Sequence, residues 1–478
     1  MNFKTVKYAI GWLLIFEAAF FLVPIVTALA YSEFSDALSF LYSALIALGL
    51  GALLAVGRPF EKKLGAKDGF VIVSLGWIIL SLIGALPFVL SGVTENYVDA
   101  LFETASGFTT TGASVLSNLE ALPRSIIMWR SFIVWIGGMG VLVFVMAFLP
   151  LGGSSMHLMK AESPGPSVSK LVPRIKTTAI ILYGIYFVIT FIQFIFLLCG
   201  GIGVFDALNL AFSTAGTGGF TTRSDSILSY SPYIQVVMTV FMLLFSLNFN
   251  SYYLVIKGRL RDAFNTEIKV FLAIAASAVL IITVSVAPSF ESIGEAIRHV
   301  SFTVASLISS SGFVTVDFNT WTSLAKTVLI LVMFVGACAG STGGGIKVSR
   351  FVLLWKQFIN EMHRLIRPRQ VKKLTLDKKE VDGNVLRSLN AYITAYVLVF
   401  IVSCAILSVE GHDLVTNFTA TLTCLNNIGP GLSAVGPTQN FAFLSFPSKL
   451  VLIFDMIAGR LELFPMLLLF APSTWRKN

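Results

Sequence analysis

Asp99-Ala100-Leu101-Phe102-Glu103-Thr104-Ala105-Ser106-Gly107-Phe108-Thr109-Thr110-Thr111-Gly112 is the stretch on which the fold turns, because it recurs as Asp206-Ala207-Leu208 running to Gly216-Thr217-Gly218-Gly219. In both copies the acidic residue precedes the last glycine by 13 positions, without a gap. A third copy reads Glu295-Ala296-Ile297 and then Ser309-Ser310-Ser311-Gly312-Phe313, with the acid 17 positions before the glycine, about one helical turn more. The fourth runs from Asp413 through Thr423-Cys424-Leu425-Asn426-Asn427-Ile428 to Gly429-Pro430-Gly431 and joins the series by position and by its glycine. A unit repeated four times has to be read as one architecture.

What surrounds the four copies is apolar. Of the 478 residues 56 % are hydrophobic and 12 % charged, and the mean hydropathy is +0.84, values of a membrane protein. Near-continuous apolar runs of about 20 residues predict ten spans, near 8–30, 37–56, 69–91, 124–149, 177–202, 229–256, 266–287, 323–351, 385–408 and 445–471. The predicted fold is an all-α polytopic membrane protein: two extra N-terminal helices, then four units of span, short outside segment and span around a central pore. Its divisions are 1–57 for the N-terminal helices, 68–150, 175–257 and 266–352 for the first three repeats, the third with a broken second helix, 353–384 for a basic cytoplasmic linker, and 385–478 for the fourth repeat. Pro123, Pro232 and Pro447 open three of the second spans, where a missing amide proton costs least.

The net charge of +9 comes from 34 lysines and arginines, and their placement removes nucleic acid as its explanation. With the amino terminus inside, 26 of the 34 fall in cytoplasmic pieces, ten of them between Arg350 and Arg387. Six fall outside: Arg124, Arg130, Arg223, Arg298, Lys326 and Lys449. This asymmetry places both termini in the cytoplasm. The apolar stretch 8–30 exceeds the roughly 7 to 15 residues of a signal-peptide core and reads as an uncleaved span. Cys199, Cys338, Cys404 and Cys424 lie in apolar or re-entrant segments without metal-type spacing and read as core thiols.

Each outside segment opens with about a dozen helix-compatible residues, too few to cross a hydrocarbon core of roughly 30 Å, and then turns polar. Such a segment dips in and returns, and irregular backbone at that depth is tolerated only when it is buried in protein or lines water. The stretches Thr109-Thr110-Thr111-Gly112, Gly216-Thr217-Gly218-Gly219, Ser309-Ser310-Ser311-Gly312 and Asn426-Asn427-Ile428-Gly429 fit a ring of backbone carbonyls. Glycine permits φ > 0 and close strand approach, so successive carbonyls can face one axis and replace an ion's water shell. The short helices would end there, and their negative carboxyl ends favour a cation.

Six blocks together resemble the TrkH-type membrane subunit of the Trk/Ktr/HKT potassium transporter superfamily: TTTGA at 109–113, WIGGMG at 135–140, GTGGFTT at 216–222, GACAGSTGGGIK at 336–347, NNIGPG at 426–431 and GRLELFP at 459–465. The resemblance covers nearly the whole chain. It implies potassium translocation across a bacterial inner membrane, with K+ as the transported ion and no organic cofactor on this chain. It also implies a homodimer with a pore in each protomer, membrane lipid around it, and a cytosolic nucleotide-binding TrkA-type regulatory subunit. By resemblance, glycine at Gly112, Gly219, Gly312 and Gly429 goes with potassium, and the preceding pairs Thr110 and Thr111, Thr217 and Gly218, Ser310 and Ser311, Asn427 and Ile428 coordinate the ion.

Three further features bear on control. Gly336-Ala337-Cys338-Ala339-Gly340-Ser341-Thr342-Gly343-Gly344-Gly345 interrupts the eighth span, and each helix-interior glycine costs about 0.8 to 1 kcal/mol relative to alanine. Ten consecutive small residues break the helix, and the resemblance places a gating loop here, a flexible constriction under the filter. Gly340, Gly345 and Lys347 nearly spell a phosphate-binding loop, but Lys347 falls one place late, Val348 replaces the hydroxyl residue and no strand precedes it. Arg460, apolar on both sides, is either an electrostatic barrier in the path or a structural partner of Asp455, Glu462 or another helix. Lys347 is either a similar functional charge or a side chain snorkelling to the cytoplasmic surface. The basic loop 350–387 suits a regulator or anionic lipid.

Potassium symport coupled to H+ or Na+ is the alternative function. It calls for membrane-embedded acids, and Glu103, Asp206 and Glu295 are placed instead at outside helix starts. An intramembrane enzyme is the remote alternative, because His157, His299, His363 and His412 are scattered through predicted loops with no nucleophile-base pairing.

Overall fold

The computed structural model describes residues 2–57, 65–140, 175–367, 373–377 and 379–476. Among the described residues six helices are long and apolar enough to cross a bilayer, and the chain is an all-α multi-pass membrane protein. The end of the span predicted at 124–149 lies outside the described residues, as do His157 and the predicted inside cations Arg58, Lys62, Lys63, Lys160, Lys170, Arg174, Arg369, Lys372, Lys378 and Lys477.

The first span, Phe3–Phe20 continued by Leu22–Ala30, breaks at Phe21 because Pro24 offers no amide proton to the carbonyl of Phe20. It crosses Phe34–Ala55 at Gly11 and Gly51, so closely that a Cβ on either glycine would lie within 3.0 Å of the other's carbonyl oxygen. Between these two spans Glu33 accepts from Arg124 N at 2.7 Å, Ser125 N at 3.0 Å and Ser125 Oγ at 2.7 Å, and so caps the second helix of repeat one.

Each repeat then has three parts. The first helices are Ala66–Gly84 with its continuation Leu86–Leu90, Ile175–Cys199, Thr266–Val286 and Gly383–Leu407. The pore helices are Tyr97–Phe108, Val204–Gly216, Ile293–Ile308 and Leu414–Leu425. With 12, 13, 16 and 12 residues they reach about 18 to 24 Å, short of the hydrocarbon thickness, as their dipping role requires. The 16-residue third helix accommodates the extra turn seen in its sequence register.

The second helices depart from the expectation. Only the third was predicted to break, yet none of the four is a continuous helix over its predicted length within the described residues. Arg124–Gly138 ends at a glycine pair, and Pro232–Phe245 turns by 90° into Phe249–Ile256 through Ser246-Leu247-Asn248. Ser323–Val335 ends at Gly336, and Phe446–Arg460 is cut from Phe464–Leu469 by Glu462 and Leu463, at φ 58° and 65°. The predicted linker also begins differently: Val348–Ile366 is one amphipathic helix, so residues 353–366 are helical, and the rest holds a two-residue antiparallel ribbon, Thr375–Leu376 with Lys379–Glu380. Trp355, Phe358, Met362 and Leu365 recur at helical spacing, a periodicity masked in the sequence by the density of basic residues.

Candidate functional site

All four pore helices end in one backbone design. The residue two before the glycine has left-handed φ in every repeat: Thr110 58°, Thr217 59°, Ser310 59° and Asn427 54°. Its amide bonds the carbonyl three residues back, and the next amide bonds the carbonyl five back: Thr111 N to Ser106 O at 2.8 Å, Gly218 N to Ser213 O at 3.0 Å, Ser311 N to Ser306 O at 2.8 Å and Ile428 N to Thr423 O at 2.9 Å. These are Schellman-type helix ends in which Thr, Thr and Ser stand where glycine is usual, each holding strain of about 1 kcal/mol or more. The glycines also have positive φ, 81° at Gly112, 66° at Gly219, 75° at Gly312 and 101° at Gly429.

The four segments close into a ring. A Cβ added to Gly112 would lie within 3.0 Å of Gly218 O, one on Gly219 within 3.0 Å of Ser311 O, one on Gly312 within 3.0 Å of Ile428 O, and one on Gly429 within 3.0 Å of Thr111 O. Every repeat therefore abuts the carbonyl of the next, and the fourth returns to the first. Because the amides of the pairs that precede the four glycines point back into the helices, their carbonyls are left over. Among the described residues none of the carbonyls of Thr110, Thr111, Thr217, Gly218, Ser310, Ser311, Asn427 and Ile428 accepts a hydrogen bond, although all eight residues are buried. Buried carbonyls without donors are costly unless something positive fills the space they face. Their donor set, uncharged oxygen, suits a weakly hydrated monovalent cation that must also leave again.

Outside the ring lies a cavity of about 90 Å³, lined by Ser114, Gly219, Thr221, Gly312, Gly429 and Phe441 among others. Ion pairs hold its walls. Glu103, predicted at an outside helix start, is fully buried in the middle of the first pore helix, and Arg130, predicted outside, is buried on Arg124–Gly138. The two pair at 2.7 Å. Glu103 also accepts from Ser114 Oγ and Val115 N, while Arg130 donates to Thr221 O and covers the Phe220 ring, so the pair fixes the segments that follow the first two glycines. Lys449 pairs with Asp99 at 2.6 Å and Arg223 with Asp206 at 4.0 Å. On the outer loops Glu120 accepts from Ser224 Oγ at 2.6 Å and Ser224 N at 2.7 Å, and these bonds hold its carboxyl below the ordinary value. Glu103→Ala is expected to destabilise the protein by about 3 to 5 kcal/mol, because Arg130 would be left buried and uncompensated, and Glu103→Met with Arg130→Met should recover much of that loss. Thermal unfolding in detergent checks it; equal midpoints for wild type and Glu103→Ala would contradict the role given to the pair.

Beneath the ring, residues 336–347 draw the repeats together. Gly345 N donates to Asn426 O at 3.0 Å and Gly344 N to Ser310 Oγ, so the loop lies against the bases of the third and fourth segments. Cys338 N donates to Ser246 O and Thr342 Oγ1 to Phe245 O, at the bend of repeat two. Glu267 accepts from Ala339 N and Ser349 N. Three loop glycines, Gly336, Gly340 and Gly345, have positive φ, and a Cβ on Gly344 would lie within 3.0 Å of Asn426 O. The segment expected to be soft is thus fully engaged in this state. Arg460 donates to Thr342 O at 2.8 Å and to Gly137 O and Gly138 O at 2.5 Å, bridging the loop to the end of the repeat-one helix. Of its suggested carboxylate partners, Asp455 binds Ser403 Oγ and Glu462 pairs with Arg350. Lys347 is buried and donates to Gly343 O, so it closes the loop on itself rather than snorkelling.

Buried acids were missed in the sequence, Glu17 and Glu267 among them, and Asp455, named only as a possible partner of Arg460, is buried as well; both Glu17 oxygens lack a hydrogen-bond partner among the described residues. Of the three acids expected at outside helix starts, Asp206 and Glu295 do stand in the first turns of their pore helices, whereas Glu103 is buried in the middle of the first. A hydroxyl six places before each glycine, Ser106, Ser213, Ser306 and Thr423, is a fourfold letter that could have been read in advance.

Four membrane-dipping helices whose ends enclose a ring of carbonyls with no donor among the described residues define a multi-pass pore protein of the cation-translocating type. Residues 39–477 match the TrkH family, described as a cation transport protein, and the chain belongs to it. It is 35 % identical over 486 residues to "Trk system potassium uptake protein TrkH" of Salmonella typhimurium, covering 100 % of both chains. It is 33 % identical to "Trk system potassium uptake protein TrkG" of Escherichia coli K12, over 99 % of each. The crystal structure of the potassium transporter TrkH from Vibrio parahaemolyticus superimposes with a TM-score of 0.90 at 32 % identity, over 100 % of both chains.

Proposed function

We propose that this chain is the potassium-translocating subunit of a Trk-type uptake system in the bacterial inner membrane, a gated, channel-like pore with both termini in the cytoplasm. The observation that carries this reading is the ring of eight buried carbonyls, contributed two by two from the four repeats, that have no donor among the described residues. K+ is the transported ion; Thr110, Thr111, Gly112, Thr217, Gly218, Gly219, Ser310, Ser311, Gly312, Asn427, Ile428 and Gly429 form the filter. Residues 336–347, with Gly336, Gly340, Gly343, Gly344, Gly345 and Lys347, form the gate, and Arg460 latches it. A homodimer and a cytosolic TrkA-type subunit complete the system, and the amphipathic helix Val348–Ile366 is the mechanical link from such a regulator to the loop, since it begins where the loop ends.

Uptake of K+, Rb+ and Na+ into liposomes containing only this chain, with and without an imposed pH gradient, tests the reading. K+ and Rb+ should enter down their gradients in preference to Na+, and the pH gradient should change only the driving voltage. Potassium accumulation that follows the proton gradient at clamped voltage would instead establish coupled symport.

A further inference from the structure

The filter segments are not held alike, and the difference is written in the side chains behind them. In repeat one Asn427 Nδ2 lies 3.0 Å from Thr111 Oγ1, Thr111 Oγ1 lies 2.7 Å from Thr109 Oγ1, and Thr109 Oγ1 lies 2.7 Å from Ala105 O. Counting protons assigns every direction. An amide nitrogen only donates, so Thr111 accepts from Asn427; a carbonyl only accepts, so Thr109 spends its single proton on Ala105 O. The remaining bond must run from Thr111 to Thr109. The result is one chain of three hydrogen bonds from repeat four, across the edge of the filter, into the first pore helix. Asn427 is itself fixed by donating to Met456 O at 2.8 Å.

Repeat three, diagonally opposite, carries the same device. Ser309 Oγ donates to Ser306 O at 3.0 Å and therefore accepts from Ser311 Oγ at 2.7 Å and from Ser311 N at 3.2 Å. All of these groups are buried. Repeats two and four place Gly216 and Gly218, or Asn426 and Ile428, at the two corresponding positions and have no such pair. Repeat two is held by contact: a Cβ on Gly216 would lie within 3.0 Å of Val134 O, and one on Gly218 within 3.0 Å of Val134 Cγ1.

We infer that the side-chain hydroxyls of Thr109, Thr111, Ser309 and Ser311, with the side-chain amide of Asn427, position the filter for ion selectivity: they hold the backbone carbonyls of two diagonal filter segments at a set radius and do not themselves ligate the ion. This inference rests on the filter reading above. Discrimination between two monovalent cations requires that the carbonyls resist collapsing onto the smaller one. A buried hydrogen-bond chain supplies that resistance, because any inward movement of Thr111 or Ser311 strains bonds that no water can replace.

The test is the K+ to Na+ permeability ratio of the full chain in liposomes. Thr111→Val keeps the shape and deletes the hydroxyl that accepts from Asn427 and donates to Thr109, so two bonds of the chain are lost together and the ratio should fall about three- to tenfold. Ser311→Ala should do the same from the opposite segment, Thr111→Ser should retain the wild-type ratio, and Thr104→Val, whose hydroxyl only returns to Ala100 O of its own helix, should leave it unchanged. If Thr111→Val does not fold, Ser311→Ala decides. A wild-type ratio in Thr111→Val and Ser311→Ala, while Gly112→Ser shifts it, would overturn the bracing and leave the filter standing. An equal fall in Thr111→Ser would assign the effect to shape and overturn it as well. No change in Gly112→Ser would instead remove the filter reading itself.

Discussion

Gly112→Ser is expected to lower the K+ to Na+ permeability ratio by tenfold or more, and the reason is geometric. The φ of 81° at Gly112 is one that serine adopts only at about 1 to 3 kcal/mol, and its Cβ would enter the space of Gly218 O. The ring has no slack to receive it, because the Gly218 segment is itself backed by Val134. In the filter proposed above the displaced carbonyl is one of the ligands, so the ion would lose a coordination partner at a defined depth. Gly219→Ser should act alike against Ser311 O, whereas Gly92→Ala, with nothing within 4 Å of its added Cβ, should be mild in selectivity despite its own positive φ. Reversal potentials in mixed potassium and sodium gradients measure the ratio. Wild-type ratios in both filter variants would mean that these glycines do not bound the ion path.

Arg460→Ala is expected to raise basal potassium flux about tenfold or more without altering selectivity. Its guanidinium holds the loop at Thr342 O and the repeat-one helix at Gly137 O and Gly138 O, and a hydrogen bond from a charged group contributes about 1.5 to 3 kcal/mol. In the gate proposed above, removing the bridge would destabilise the latched arrangement by that order, and each 1.4 kcal/mol is a tenfold change in the population of a two-state element. Gly344→Ala should open the same loop from the other side, since its new methyl would meet Asn426 O. Flux per folded protein is the measurement, with folding followed by size exclusion. Unchanged flux in well-folded Arg460→Ala would leave the arginine a purely structural tie and move the gate elsewhere.

How far these features could be read from the residues depended on whether the signal was local. The 13-residue register from Asp99 to Gly112 and from Asp206 to Gly219 was local, and it led to the four dipping segments; the glycine run 336–345 announced its own helix break. The breaks at Ser246-Leu247-Asn248 and at Glu462-Leu463 were not legible, because ordinary residues take the turn there and tertiary contacts, not propensity, decide it. Left-handed Thr110, Thr217 and Ser310 were hidden for the same reason: hydroxyl residues in that conformation are exceptions that only the surrounding ring enforces. Glu103 and Arg130 lie 27 positions apart, and nothing in either neighbourhood names the other as a partner. Arg460 stood out by isolation among apolar residues, yet its acceptors include backbone carbonyls of repeats one and three, which carry no sequence signature at all.

The claim that the four segments jointly hold the ion is tested most directly by locating it. Crystals of the full chain soaked in thallium, whose ion is close to potassium in size and scatters anomalously, should give density on the axis between Gly112, Gly219, Gly312 and Gly429, with the carbonyls of Thr110, Thr111, Thr217, Gly218, Ser310, Ser311, Asn427 and Ile428 around it, and excess sodium should displace it poorly. Thallium found away from this axis, with none between the four glycines, would contradict the account.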